Sequence, residues 1–215
     1  LNTYHLGYVL GPRINAGGRV GKCSHGANLL LSKDPKKVFT IASELENFNK
    51  ERKSIEKDML AKIEKKIAVD PSEPVIVLSG HNWHGGVIGI IASRLKDKFN
   101  KPTIIISISN GVGKASARSV HGFDIGTFVI NAVQKNILIR GGGHKMAAGF
   151  SIKEEKIEEF KDFINKSFLK IKKDMKNNNE IFYDSIISPS ALNENFYEEI
   201  NSLSPFGSGN PEPRF

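Results

Sequence analysis

From Val38 onward the apolar residues Val38, Ile41, Leu45, Phe48, Ile55, Met59 and Ile63 recur at spacings of three and four, with Arg52 interrupting the stripe. That period marks one face of a helix. Asp34 followed by Pro35 supplies a helix cap with proline at the first helical position. The pattern predicts a single helix from there to Ala68, roughly 50 Å long at 1.5 Å per residue. Such a helix outruns one small domain and reads as a strut between two lobes; a self-associating coiled coil is the alternative. Past Pro71 short apolar runs alternate with helical patterns. Val75–Leu78 and Thr103–Ile108 read as buried strands around a helix from Val87 to Lys98, whose face carries Ile88, Ile91, Ala92 and Leu95. This is a βαβ unit. Strand-like residues from Gly113 to Ser119, a helix from Asp124 to Gln134, strands at Ile137–Ile139 and Ala147–Ile152, and an amphipathic helix from Glu154 to Lys170 complete the series.

The flanks are less regular. Residues 1–33 read as a glycine-rich, irregular segment ending in the apolar run Leu29–Leu31. After Asn177–Asn179 the chain turns polar, and Ser204–Pro213 has the proline, glycine and serine content of a linker. The fold class expected is therefore α/β, with a long connector helix (34–70), a compact mixed-sheet domain (71–172) and partial flanking segments (1–33 and 173–215). A start at Leu1 and an end just after a turn-rich stretch lead to the expectation of a piece of a longer protein.

At 215 residues and 39% hydrophobic content, one sizeable core and a small appendage are affordable. No apolar stretch approaches the roughly 20 residues of a membrane span, and no cleavable signal pattern is visible. A cytoplasmic location without a membrane partner is expected. The lone Cys23 excludes an internal disulfide framework and a thiolate zinc cluster, and reads as a small packing residue. The net charge of +8 is unevenly spread. Residues 1–33 carry Arg13, Arg19, Lys22 and Lys33 with no acid, and residues 101–150 carry six cations against the single Asp124. Positive charge thus collects where glycine is most frequent, a pattern suited to a polyanion.

Three stretches carry candidate chemistry. In Arg140–Gly149 the consecutive Gly141, Gly142 and Gly143 precede His144, and read as a loop between two strands whose bare amides converge on a phosphate. A plain glycine hairpin capped by histidine is the alternative. Ser79–Gly86 opens into a helix N-terminus, where amides favour anions and Trp83 could stack on a base. A lone Trp is usually a core residue, and His81 with His84 lack the carboxylates or thiolates that would make them metal ligands. Ser116 and Arg118 pair a hydroxyl with a planar guanidinium on one strand, the makings of a phosphate clamp.

Taken together, Gly11-Pro-Arg-Ile-Asn-Ala-Gly-Gly-Arg19, the run Trp83–Leu95, Ser116–Ser119, Gly141–Gly149 and Pro205–Pro213 resemble the RecJ single-strand-specific exonucleases of the DHH phosphoesterase superfamily. The glycine-histidine motif alone would indicate only a DHH-associated domain, shared with nanoRNases and dinucleotide phosphodiesterases. The first and last blocks point to RecJ. The resemblance implies that residues 1–33 end a DHH catalytic domain, 34–70 connect it to the DHH-associated substrate-binding domain at 71–172, and 173–215 lead into an OB-type domain. It implies an enzyme of DNA repair and recombination that degrades single-stranded DNA from the 5′ end with two Mn²⁺ or Mg²⁺ ions. Ser116 and Arg118 would then hold a terminal 5′ phosphate, and His144 with the backbone of Gly141, Gly142 and Gly143 would engage a phosphate across the cleft. Arg13, Asn15 and Arg19 would line the channel between lobes, with Trp83 and His84 as further contacts.

One departure qualifies this. The metal-binding carboxylates of such enzymes sit in Asp-rich motifs, whereas the first acid here is Asp34 and no Asp-His-His or Asp-x-Asp run occurs. A two-metal centre needs several convergent carboxylates and imidazoles. The chain is therefore expected to hold no catalytic or metal-binding residue of its own, and to be inert by itself. Gly18 stands where the family block more often carries alanine. Two other readings are a non-enzymatic accessory subunit binding single-stranded nucleic acid and a fragment of a nanoRNase or dinucleotide phosphodiesterase.

Overall fold

The computed structural model describes residues 2–67, 73–172, 182–207 and 209–215. The N-terminal segment is helical where the sequence suggested irregular chain. A π-helical stretch at His5–Leu10 runs into α1 (Gly11–Val20), followed by α2 (His25–Leu31). Packing overrides the low helix propensity of glycine here. A Cβ on Gly17 would stand 3.1 Å from Leu45 Cδ2, so the missing side chain lets α1 lie close against the long helix. Leu30 and Leu31 remain exposed, and so does Cys23, which is not the packing residue expected.

The long helix, α3 (Pro35–Ile67), is a single uninterrupted element. The amide of Lys36 donates to Asp34 Oδ1 at 2.9 Å, as the cap predicted. Its buried stripe runs through Ile41, Leu45, Asn49, Arg52, Glu56, Met59 and Ile63. Arg52 therefore does not break the stripe; it belongs to a polar waist within it. Arg52 Nη1 donates to Glu56 Oε2 at 2.7 Å and Nη2 to Asn49 Oδ1 at 3.1 Å, while the other Glu56 oxygen pairs with Arg94. The N-terminal half of α3 packs on α1 and α2, and Met59 and Ile63 join the core beneath α4.

Five strands form one mixed sheet in the order β1-β2-β3-β5-β4. They are β1 (Ile76–His81), β2 (Thr103–Ser109), β3 (Val112–Arg118), β4 (Arg140–His144) and β5 (Ala147–Lys153). β1 and β2 are parallel, joined through α4 (Ile88–Phe99) as the βαβ pattern predicted, and every other pairing is antiparallel. Asn110 and Gly111, both at positive φ, close the β2–β3 hairpin. The expected strand at Ile137–Ile139 is absent. Ile137 and Leu138 fill the core from the connection after α5 (Ile125–Gln134), and the strand is formed by the glycines themselves. The loop between β4 and β5 shrinks to Lys145 and Met146.

One face of the sheet is closed by α5 and α6 (Ile157–Lys172), with Phe123, Phe150, Phe160 and Phe168 among the buried rings. On the other face α4 covers β2 and β3 through Ile88, Ile91, Ala92 and Leu95, the four residues read from its period. Beyond α4 the β5 and β4 positions Gly149, Arg140 and His144 stay exposed. The Asn177–Asn179 boundary lies outside the described residues. Further on, α7 (Glu194–Ser202) begins at Asn193, whose side chain accepts from the Phe196 amide at 3.0 Å. This helix was not read from the sequence. No helix among the described residues is long and apolar enough to cross a membrane.

Candidate nucleic-acid interface

Strand alternation decides which side chains share the open face. Along β3, Gly113, Ala115 and Ala117 are buried, so Lys114, Ser116 and Arg118 point the other way. Register carries this set across the sheet. Arg118 stands opposite Ala147, and Ala147 opposite His144; Ser116 stands opposite Gly149, and Gly149 opposite Gly142. Arg118 and His144 are thus on one face two strands apart, about 10 Å between backbones.

The start of α4 roofs this row at the β3 side. A Cβ on Gly89 would lie 3.0 Å from Ser116 Oγ and 3.1 Å from Arg118 Nη2, so the bare helix surface is what gives the guanidinium room. Arg118 Nη1 donates to Ser116 Oγ at 3.0 Å and to the Ala117 carbonyl at 2.8 Å. The sequence placed these two residues together, and they are in direct contact. Arg19 enters from α1, its Nη1 donating to the Gly86 carbonyl at 3.2 Å. Gly86 packs directly on the Arg19 backbone and so joins the two lobes at the loop before α4. Burial lowers the Arg118 guanidinium from its ordinary pKa, and the charge of Arg19 lowers it further. The half-buried Arg118 and the exposed Arg19 thus bring two positive charges to one recess at a helix N-terminus. An anion there would offset the repulsion, accept from both guanidinium forks and meet the first amides of α4.

The remaining sequence candidates divide. Asn15 lies one turn before Arg19 on the same face of α1 and is exposed. Arg13 faces the other way, with Nε on Glu46 at 2.6 Å and Nη1 on the Val9 carbonyl at 2.7 Å, and ties α1 to α3. Trp83 packs over Gly80 of β1 and joins the apolar cluster under α4. His84 shapes the turn into that helix, its Nδ1 accepting from the Gly86 amide at 3.2 Å. His144 is exposed at the end of β4, with Nδ1 3.4 Å from the Met146 amide. None of Gly141, Gly142 and Gly143 has positive φ, so the glycines do not form the amide nest expected of a loop. Their use is close approach. A Cβ on Gly141 would lie 2.7 Å from Phe150 Cβ, whereas Gly142 has nothing within 4 Å and forms bare floor.

Lys114 was missed. It lies at the same period-two position as Ser116 and Arg118, a signal that strand alternation alone would have supplied. No group of three or more His, Cys, Asp or Glu side chains able to hold a metal ion occurs among the described residues. The donors needed for the Mn²⁺ or Mg²⁺ of the resemblance are thus not brought together among the described residues.

The sheet belongs to a mixed α/β domain whose open face and neighbouring helix start present arginine, serine and bare glycine. Residues 72–170 match the DHHA1 domain family and residues 183–215 the RecJ OB domain family. Along nearly its whole length the chain is similar to RecJ proteins. It is 34% identical over 218 residues to the single-stranded-DNA-specific exonuclease RecJ of Haemophilus influenzae, covering 98% of this chain and 38% of that protein. It is 33% identical over 224 residues to RecJ of Bacillus subtilis, covering 99% and 27%. The crystal structure of Thermus thermophilus RecJ in complex with Mn²⁺ superimposes with a TM-score of 0.86 at 30% identity, over 99% of this chain and 31% of that one. The chain thus spans between about a quarter and two fifths of the curated relatives' length.

Proposed function

We propose that this chain is the substrate-holding part of a metal-dependent 5′ to 3′ single-stranded-DNA exonuclease acting in the cytoplasm. Arg118, Ser116 and Arg19 take the terminal 5′ phosphate beneath the first turn of α4. His144 and the glycine floor engage the strand further along the same face, and Asn15 lies on the channel wall formed by α1. The observation that carries this reading is the convergence on one helix N-terminus of a serine hydroxyl and two arginines from different lobes, neither with an acidic partner among the described residues. Phosphate esters are the ligands that such a set suits best. Hydrolysis itself belongs to a DHH lobe carrying two Mn²⁺ or Mg²⁺ ions, and an OB-type domain completes the grip. The chain alone holds DNA without cutting it.

The test is fluorescence anisotropy with single-stranded DNA, with and without a 5′ phosphate, across a salt series with Mn²⁺ present and cleavage followed in the same samples. Binding that weakens with salt, favours the phosphorylated end by about tenfold and loses that preference in Arg118→Ala is expected. An unchanged preference in the variant would remove Arg118 from the end-sensing role, and cleavage by the pure chain would overturn the division of labour.

A further inference from the structure

The open face continues past the phosphate clamp. Two register rows away from Arg118, Lys114 of β3 stands opposite Ser151 of β5, and Ser151 opposite Arg140 of β4. All three lie on the same side as Ser116 and Arg118, because each is an even number of residues along its strand from a member of that set. Between the two rows lie Gly142 and Gly149, paired with each other. A Cβ on Gly142 would meet nothing within 4 Å, and one on Gly149 only the Ala115 carbonyl at 3.6 Å. The result is a shallow trough of about 570 Å³ with a glycine floor and a cation on each bank. Neither Lys114 nor Arg140 has an acidic partner among the described residues, although Lys153, at the far end of β5, pairs with Glu155.

We infer that Lys114, Arg140 and Ser151 form a second phosphate seat, which takes an internal phosphodiester of a single strand whose 5′ end is held at Arg118. The inference rests on the proposed reading of the Arg118 site. Lys114 and Arg140 are two strands apart, about 10 Å between backbones, so their long side chains reach inward from both banks over Ser151. The seat lies four residues along β3 from Arg118, about 13 Å. An extended strand covers that span in about two internucleotide steps. The two glycines leave the floor between the seats bare, and the sugars and bases of the two intervening nucleotides can lie against the sheet without a side chain in the way. Nothing in the trough reads a base edge, so the seat counts length and is indifferent to sequence.

The experiment compares 5′-phosphorylated thymidine dinucleotide and hexanucleotide, each with a 3′ fluorophore, on this chain and on Lys114→Gln/Arg140→Gln. Both side chains are exposed, and an unchanged thermal melt would confirm an intact fold. The double variant is expected to bind the hexanucleotide about tenfold more weakly, to hold the dinucleotide within about twofold, and to show a salt slope smaller by about 0.7, the value of one phosphate contact. Lys114→Glu should widen the length dependence further. Equal losses for the two lengths, or no loss for either, would overturn the seat while leaving the 5′-phosphate reading intact. A wild-type chain indifferent to the 5′ phosphate on the hexanucleotide would overturn both, since the spacing is counted from that end.

Discussion

Arg19 of α1 and Arg118 of β3, remote in sequence, occupy one recess, where the charge of the first lowers the pKa of the second. No carboxylate pairs with either guanidinium among the described residues. Like charges held together without a counterion cost the free fold stability and favour whatever anion enters, a pattern common at binding sites.

Arg19→Gln should therefore stabilise the ligand-free chain slightly, by about 0.5 kcal/mol or roughly 1–2 °C in Tm, while weakening DNA binding. The sign follows from linkage. A cation with a depressed folded pKa costs the fold a constant amount at every pH below that value, and the cost fades only as pH rises through it. The gain should be flat across the neutral range. A thermal melt in low salt checks it; a destabilised variant would show that Arg19 serves the fold through its bond to Gly86.

Inorganic phosphate at millimolar concentration should raise the Tm of the wild-type chain more than that of Arg118→Ala, since only an anion bound to the folded state shifts the equilibrium. Equal shifts in both proteins would mean that phosphate acts on the surface at large.

Gly89→Ala separates site from scaffold. Its methyl would crowd only Ser116 Oγ and the tip of Arg118, both able to shift, so stability should change by less than about 0.5 kcal/mol while the preference for a 5′ phosphate falls. Paired denaturation and anisotropy measurements decide whether the two effects come apart.

Within the glycine triplet, Gly142→Ala and Gly143→Ala should behave oppositely. The first places a methyl in open space, whereas the second drives one into the β5 backbone, 2.5 Å from Ala148 Cα. A loss near zero for Gly142→Ala against about 2–3 kcal/mol for Gly143→Ala is expected in urea unfolding.

Glu56→Ala should cost about 3–5 kcal/mol, because Arg52 would be left buried beside an uncompensated Arg94. Replacing Glu56 and Arg52 together by Met should recover much of the loss. A small effect of the single substitution would mean that water already reaches the polar waist.

Much of this was legible in the chain. The βαβ unit, the capped start of α3 and the buried face of α4 are local consequences of period and cap chemistry, and each stands where the pattern put it. Ser116 and Arg118 were readable as a pair because two residues on one strand share a face. The glycines misled for a physical reason: Gly11, Gly17 and Gly18 lie in helix and Gly141, Gly142 and Gly143 in strand, and at Gly17, Gly141 and Gly143 a packed neighbour leaves no room for a Cβ, which propensity does not see. Arg52 looked like an interruption because its partners, Glu56 and Arg94, are charged residues that an apolar count passes over. Arg19 and Arg118 could not be joined by any local rule, since their meeting depends on α1 touching the loop before α4 at Gly86.

The polar waist of α3 also sets a tolerance. The helix holds α1 near one end and the cluster under α4 near the other, and Glu56 reaches Arg94 on α4 directly. A rigid rod with two fittings acts as a gauge block: the gap between Arg19 and Arg118 is fixed by a single covalent ruler rather than by two separately positioned lobes. Thermal jitter in that gap is damped by the bending stiffness of one helix, so its width is set before any ligand arrives.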